Sequence, residues 1–315
     1  MPYIYKLFFL ILFIFPKVMP AIPCNAKIYV ASHESPLGKS LVKKLRKEGF
    51  FNIVTKDKEE LNLTNQKAVD LFFRCEKPEY VFLFSEKDLG IQSRKNFCAD
   101  LLKDNLSIQT NIIHASFVSG VKKLIYTASI YEEPSISFDP YEIITQSGIS
   151  LCKAYNNQYG TRFQTCILAN PYGLYDHFDP SSSHVIPSLI SKICTAKRNH
   201  LPTVEIWGDG EPLRDFIYID DATTALYSLF ESPFQNEVTH IATGNLVSIK
   251  DLATSIKQII GYEGFLVFNP SICNGKKQIP LSTDEINSMG WVPSFSLSKG
   301  LERTIRWYLH NQYHD

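Results

Sequence analysis

The chain holds seven cysteines but no Cys-x-x-Cys pair, which argues against a zinc site, and no metal is expected. Cys24, Cys75, Cys98, Cys152, Cys166, Cys194 and Cys273 are scattered, odd in number and mostly set inside apolar runs. That is the pattern of small buried hydrophobes with free thiols, as a reducing compartment allows. Excess charge of either sign is also missing. Lys+Arg and Asp+Glu each total 32 and no basic block occurs, which removes any general pull toward nucleic acid or an anionic membrane. Internal repeats, low-complexity tracts and linkers are absent as well.

What is present is ordinary enzyme material. With 315 residues, 44% apolar and 20% charged, the chain is long enough for one large α/β domain, or for a nucleotide-binding domain with a smaller lobe. The start is the unusual part. Lys6, the unbroken apolar run 7–15 and Pro16 have the charge, core and breaker of a secretory signal, with Cys24-Asn25-Ala26 as a cleavage site. The run is too short for a membrane span. If residues 1–26 are such a leader, the protein is secreted or membrane-associated; if Met19 is the natural start, it is cytoplasmic.

From residue 27 strands alternate with helices. Lys27 to Ala31, Phe51 to Thr55, Tyr80 to Phe84 and Lys123 to Thr127 read as β-branched or aromatic strands. Between them, Leu41, Val42 and Leu45 recur at helical spacing, Thr64 or Asn65 caps a helix carrying Ala68 to Phe73, and Leu101 to Ala115 makes a longer one. This order predicts an α/β fold: a doubly wound parallel sheet of Rossmann type over 27–169, and a smaller C-terminal substrate-binding lobe over 170–315 with interleaved return segments. In that later part, Asn170-Pro171-Tyr172-Gly173 reads as a turn, Val204 to Trp207 as a strand, Ser248 with Asp251 as a capping box, and Ile305 with Leu309 as a closing amphipathic helix.

Ligands of such sheets bind at the carboxyl ends of the strands, so the loop after the first strand matters most. Ala31 to Gly38 has the spacing of a G-x-x-G-x-x-G phosphate loop with Ser32 and Ser35 at the first two glycine positions and Gly38 at the third. Each serine adds a Cβ where backbone must approach a pyrophosphate. Glu34 adds a like charge, for which about 5 Å of separation from a phosphate costs roughly 3 kcal/mol at an effective dielectric of about 20. An ordinary strand-to-helix turn accounts for these residues equally well.

Several segments together resemble the GDP-L-fucose synthases, extended short-chain dehydrogenase/reductases that use NADPH to epimerise and then reduce a GDP-4-keto-6-deoxy sugar. They are Asn111 to Ala115, Tyr155 to Gly160, Asn170 to Gly173, Ser183 to Pro187, Trp207-Gly208 through Arg214-Asp215-Phe216, and Gly290-Trp291. The resemblance runs from about Lys27 to the C-terminus. It implies Tyr141 as the catalytic acid, Ser129 as its hydrogen-bonding partner on the sugar oxygen, and His184 as the acid in epimerisation. It implies NADP(H) at Gly38, Ser32, Ser35, Lys56, Thr145 and Asn170, and a GDP-sugar at Lys192, Trp207 and Arg214. It also implies a homodimer through the helices after Phe97 and Tyr141.

The departures from the family are specific. Thr145 stands where lysine would hold the nicotinamide ribose, and Lys153 lies more than three turns beyond Tyr141. The epimerisation cysteine has no counterpart in Ser129-Ile130-Tyr131, Ser85-Glu86 replaces small residues, Gln278-Ile279 replaces a basic pair, and Lys192 replaces an arginine. Ser32, Glu34, Ser35 and Thr145 are expected to weaken the hold on NADP(H). Two functions therefore stand open: an NADPH-dependent epimerase and reductase, or a catalytically silent relative that binds a nucleotide sugar or acts as a non-catalytic interaction protein.

Overall fold

A computed structural model describes residues 22–84, 97–129, 139–180, 182–234, 236–272, 278 and 280–312, without the side chains of Ser129 and Gln312. The apolar run 7–15, Met19, Ser85-Glu86, Ile130-Tyr131, Cys273 and Ile279 lie outside the described residues.

The strands are β1 (Ile28–Ala31), β2 (Ile53–Val54), β3 (Tyr80–Leu83), β4 (Lys123–Ser129), β5 (Phe163–Leu168), β6 (Asn170–Tyr172), β7 (Thr203–Trp207), β8 (Leu213–Tyr218), β9 (Val238–Ile241), β10 (Leu246–Ser248) and β11 (Phe265–Asn269). The helices are α1 (Pro36–Lys47), α2 (Gln66–Glu76), α3 (Cys98–Val118), α4 (Pro140–Tyr159), α5 (Val185–Arg198), α6 (Ile219–Glu231), α7 (Ile249–Ile260), α8 (Asp284–Ser288) and α9 (Leu297–Gln312).

Six strands form one parallel sheet in the order β2-β1-β3-β4-β5-β9, so the chain returns from the second half to add β9 beside β5. Side chains alternate along each strand, which sends Tyr29, Val81 and Tyr126 to one face and Ile28, Phe82 and Ile125 to the other. The first face is covered by Val69 and Phe73 of α2, Ile108 and Ile112 of α3, and Ile149 of α4. The second is covered by Leu41 and Leu45 of α1 and by Leu226, Leu229 and Phe230 of α6, and the same cluster continues to Leu252 of α7 and Leu301 of α9. This is the doubly wound arrangement the alternation of elements predicts.

Local signals set most boundaries. Asn65 caps α2 by accepting from the Ala68 amide at 3.3 Å, and Ser248 caps α7 by accepting from the Asp251 amide at 3.0 Å. Gly261 ends α7 in the left-handed region at φ 68°. The buried Lys123 ammonium donates to the carbonyls of Leu229, Phe230 and Ser232, joining β4 to the C-terminus of α6, and burial pushes its pKa down to about 8.

Three expectations change. The stretch at Asn170 is a strand, not a turn: β6 runs parallel to β8 at the edge of a three-stranded sheet, where Pro171 lacks no ladder donor that matters. The second strand is only Ile53–Val54, because it is a sheet edge with β1 as its one partner and Phe51 lies exposed. Nor are the cysteines mostly buried. Cys24 and Cys75 are exposed and Cys98 and Cys194 are half-buried, so of the six described only Cys152 and Cys166 behave as core residues. Residues read as the end of a leader are engaged with the sheet: the Cys24 carbonyl accepts from the Phe51 amide at 3.2 Å, and Ala26 is buried. No described helix is long and apolar enough to cross a membrane.

Candidate active site

Parallel register brings the strand ends to one edge: Ala31 pairs Leu83, and Ser129 pairs Leu168, which in turn pairs Ile241. The loop after β1 and the approach to α4 therefore open at the same side of the sheet.

Ser32 occupies the left-handed region at φ 58°, the conformation for which glycine is the usual residue. The turn closes on itself. The Ser35 hydroxyl donates to the Ser32 carbonyl at 2.9 Å and accepts from the Gly38 amide at 3.1 Å, so Ser35 is the N-cap of α1 with Pro36 behind it. Gly38 is required for contact: a Cβ there would lie 2.7 Å from the His33 Cα and 2.8 Å from the Ser32 carbonyl oxygen. Ser35 thus braces the turn with its hydroxyl, while Ser32 carries its Cβ in a backbone conformation that favours glycine. Glu34 is exposed, which leaves its charge screened by solvent and well short of the penalty expected of it.

Tyr141 lies in the first turn of α4, whose N-cap Asp139 accepts from the Tyr141 amide at 2.9 Å. Its side chain is buried beside Leu101 and Ile144. One turn on, Thr145 is buried too, and Lys153 is exposed farther down the helix. Beyond Thr145, Gly148 lets α4 close on the sheet, since a Cβ there would fall 2.3 Å from the Tyr126 ring. Ser129 ends β4, so its backbone lies on the same edge.

The second half of the chain brings other residues together. The Lys192 ammonium on α5 sits 4.1 Å from the centroid of the Trp207 ring at the end of β7, and burial lowers its pKa while Glu205 opposes the shift. His184 is the half-buried N-cap of α5. Arg214 on β8 donates to the Leu213 carbonyl at 2.8 Å. The buried Asp215 carboxylate takes the Thr243 amide at 3.1 Å, the Thr243 hydroxyl at 2.5 Å and the Gly244 amide at 2.8 Å, while Asp220 meets Arg303 at 3.4 Å. Burial raises the Asp215 pKa against those bonds. Asn170 gives its amide to the Asp215 carbonyl at 2.8 Å and to Gln278 Oε1 at 3.0 Å.

Known proteins match this chain in sequence and in overall fold. The family model described as NAD dependent epimerase/dehydratase family matches residues 28–242. GDP-L-fucose synthase 1 of Arabidopsis thaliana is 36% identical over 304 residues, covering 91% of this chain and 94% of that protein. The chain belongs to the NAD dependent epimerase/dehydratase family, in its GDP-L-fucose synthase branch. A crystal structure of a GDP-6-OMe-4-keto-L-xylo-heptose reductase from C. jejuni is 33% identical with a TM-score of 0.84, over 92% of this chain and 99% of that one. A GDP-mannoheptose C4 reductase from Campylobacter jejuni, solved with NADP bound, is also 33% identical, with a TM-score of 0.78 over 91% and 99% of the two chains.

For a member of the epimerase/dehydratase family, the turn after β1 is where a dinucleotide diphosphate would lie, and its residues fit that group. Ser32 Oγ and His33 Nδ1 are buried atoms with no hydrogen-bond partner among the described residues, and α1 directs its N-terminus at the same place. Sequence reasoning named Ser32 here but passed over His33 and Thr243, and it met Asp215 and Gln278 only as parts of the resemblance, without a role. An aspartate leading into the apolar run Phe216-Ile217-Tyr218 of β8 was the available signal, because a buried carboxylate needs several donors.

Proposed function

We propose that this protein is an NADPH-dependent epimerase and reductase acting on a GDP-4-keto-6-deoxy-hexose. The observation that carries this is the shared edge: the closed turn at Ser32–Gly38 and the buried Tyr141 stand after β1 and β4 of one parallel sheet, with a cation-bearing lobe beyond. The relatives with GDP-sugar reductase names support the substrate class.

Ser32, His33 and the first amides of α1 would hold the dinucleotide diphosphate, with Gly38 keeping the helix close enough for backbone donors to reach it. Thr145 would face the nicotinamide ribose as a hydroxyl rather than an ammonium. The cofactor supplies a hydride to the sugar carbonyl carbon. Tyr141 gives its phenolic proton to the carbonyl oxygen, and Ser129 donates a hydrogen bond to that oxygen as negative charge develops. In this direction the phenol acts as an acid, so it is the protonated form that the step needs. Epimerisation takes a proton from the carbon beside the carbonyl and returns one to its opposite face; His184 would be the acid that returns it, and the base that takes the first has no counterpart in Ser129-Ile130-Tyr131, so reduction is the half of the reaction these residues equip. Lys192, Trp207 and Arg214 would hold the GDP portion, the arginine by paired donors to phosphate and Lys192 as a point charge.

A homodimer through α3 and α4 is part of the same proposal, supported by exposed Val118, Ile143 and Tyr159 on that helix pair. Light scattering at twice the monomer mass would agree with it; a monomer would refute it.

Titration of the purified chain with NADPH and, separately, with a GDP-sugar tests the two halves. Binding of both in the micromolar range is expected. Failure of NADPH to bind overturns the oxidoreductase function, and GDP-sugar binding alone identifies a silent binder.

A further inference from the structure

Charge balances over the whole chain but not on α1. Lys39, Lys43, Arg46 and Lys47 are exposed, and the helical repeat sets them within one arc of about 100°, opposite the buried Leu37, Leu41 and Leu45. Among the described residues none of the four pairs with a carboxylate, and the acid at that end of the helix, Glu48, is held by Lys44. The same end of α1 is where the described chain enters the fold. Ile22 packs on the core, the Ala26 amide donates to the Pro23 carbonyl at 2.8 Å, and the Asn25 carbonyl accepts from the Asn52 side-chain amide at 3.1 Å. A Cβ on Gly49, next to the cap of α1, would lie 3.7 Å from Cys24 Sγ. Cleavage at Cys24-Asn25-Ala26 would therefore take away part of the fold. The apolar run 7–15, flanked by Lys6 and Lys17, ends within about 25 Å of Ile22 however the residues between them run. It is thereby kept close to the basic end of α1 and to the exposed Phe51.

We propose that this corner docks on a bilayer that carries anionic lipid, with the run 7–15 entering the interface and Lys43, Arg46 and Lys47 lying against the headgroups. A run of this length is too short to span the hydrocarbon layer but long enough to sink an apolar stretch into its boundary. One short apolar anchor gives weak, reversible binding, and a basic patch beside it is the second signal that makes binding stable. Each cation at an anionic surface strengthens binding by about fivefold, an effect that fades within a Debye length and so requires the patch to lie close to the anchor. The chain enters at the amino end of β1, whereas the candidate site lies at the carboxyl ends of the strands, so docking here leaves the site open. The docking surface is independent of the proposed reaction.

The test is flotation of the full chain with vesicles of phosphatidylcholine alone and of phosphatidylcholine with about 30% phosphatidylserine, at physiological salt. The chain is expected to float with the mixed vesicles and to stay largely behind with phosphatidylcholine alone. Lys43→Gln, Arg46→Gln and Lys47→Gln together should weaken binding to the mixed vesicles about a hundredfold, and Leu10→Glu with Phe13→Glu should weaken binding to both kinds. The three cations are exposed and glutamine is a good helix former, so the fold is retained, which circular dichroism checks. The proposal is overturned if the unaltered chain stays behind with the mixed vesicles, if it floats equally with both kinds, or if the triple variant floats as well as the unaltered chain. Tighter binding to duplex RNA than to the mixed vesicles would give the basic face to nucleic acid and overturn it as well.

Discussion

The two sides of the candidate site are built differently. Around the phosphate turn the bonds are short in sequence, Ser35 to Ser32 and Gly38 to Ser35, as they are after β2, where Glu60 meets Asp57 and Lys56 meets Glu60. In the later lobe they are long: Asn170 to Asp215 and Gln278, Thr243 and Gly244 to Asp215, Lys192 over Trp207. A side built from neighbours can change its residues one at a time and keep its shape, as Ser32 and Ser35 do. A side built across the chain is fixed by its partners, and a single loss there disturbs several strands at once.

The largest effect should come from the residue between the two sides. Tyr141→Phe removes the proton donor, and turnover is expected to fall about 10²- to 10⁴-fold with NADPH and GDP-sugar binding retained, as read by steady-state kinetics beside the two titrations. Equal loss of binding would mean that Tyr141 acts through its packing with Leu101 and Ile144.

Gly38→Ala sharpens the contrast from the cofactor side. Its Cβ meets backbone, which cannot swing away, so about 1–3 kcal/mol of stability should be lost in chemical denaturation. NADPH affinity should drop with it while GDP-sugar affinity stays. Lys192→Ala is the counterpart: loss of a half-buried cation over Trp207 should weaken GDP-sugar binding by about fivefold to tenfold, or about 1 kcal/mol, and leave NADPH unmoved. The smallest effect belongs to Ser32→Gly. Relief of a left-handed residue and the added freedom of the unfolded chain nearly cancel, so stability should change by no more than about 0.5 kcal/mol.

The same difference in range explains what could be read in the sequence. The parallel sheet, the caps at Asn65 and Ser248 and the turn at Ser32 to Gly38 follow from residues a few positions apart. That Ser35 sustains the turn was not visible, because residue identity shows an added Cβ and not a hydroxyl that both donates and accepts within the turn. Asn170 was misread as a turn for a related reason. Its strand exists only because β8 pairs with it from 46 positions away, Asn170 to Phe216. Trp207 and Lys192 were each expected, from the resemblance, to be ligand residues, but their contact with each other joins a helix to a strand end and has no local signature.

The central claim is that Tyr141 has a nicotinamide behind it and a sugar in front. Mixing the protein with NADPH and a GDP-4-keto-6-deoxy-hexose, and following NADPH absorbance in a single turnover, tests it directly. One NADPH oxidised per GDP-sugar reduced, abolished by Tyr141→Phe, is the predicted result. Both ligands bound with no oxidation of NADPH would contradict it.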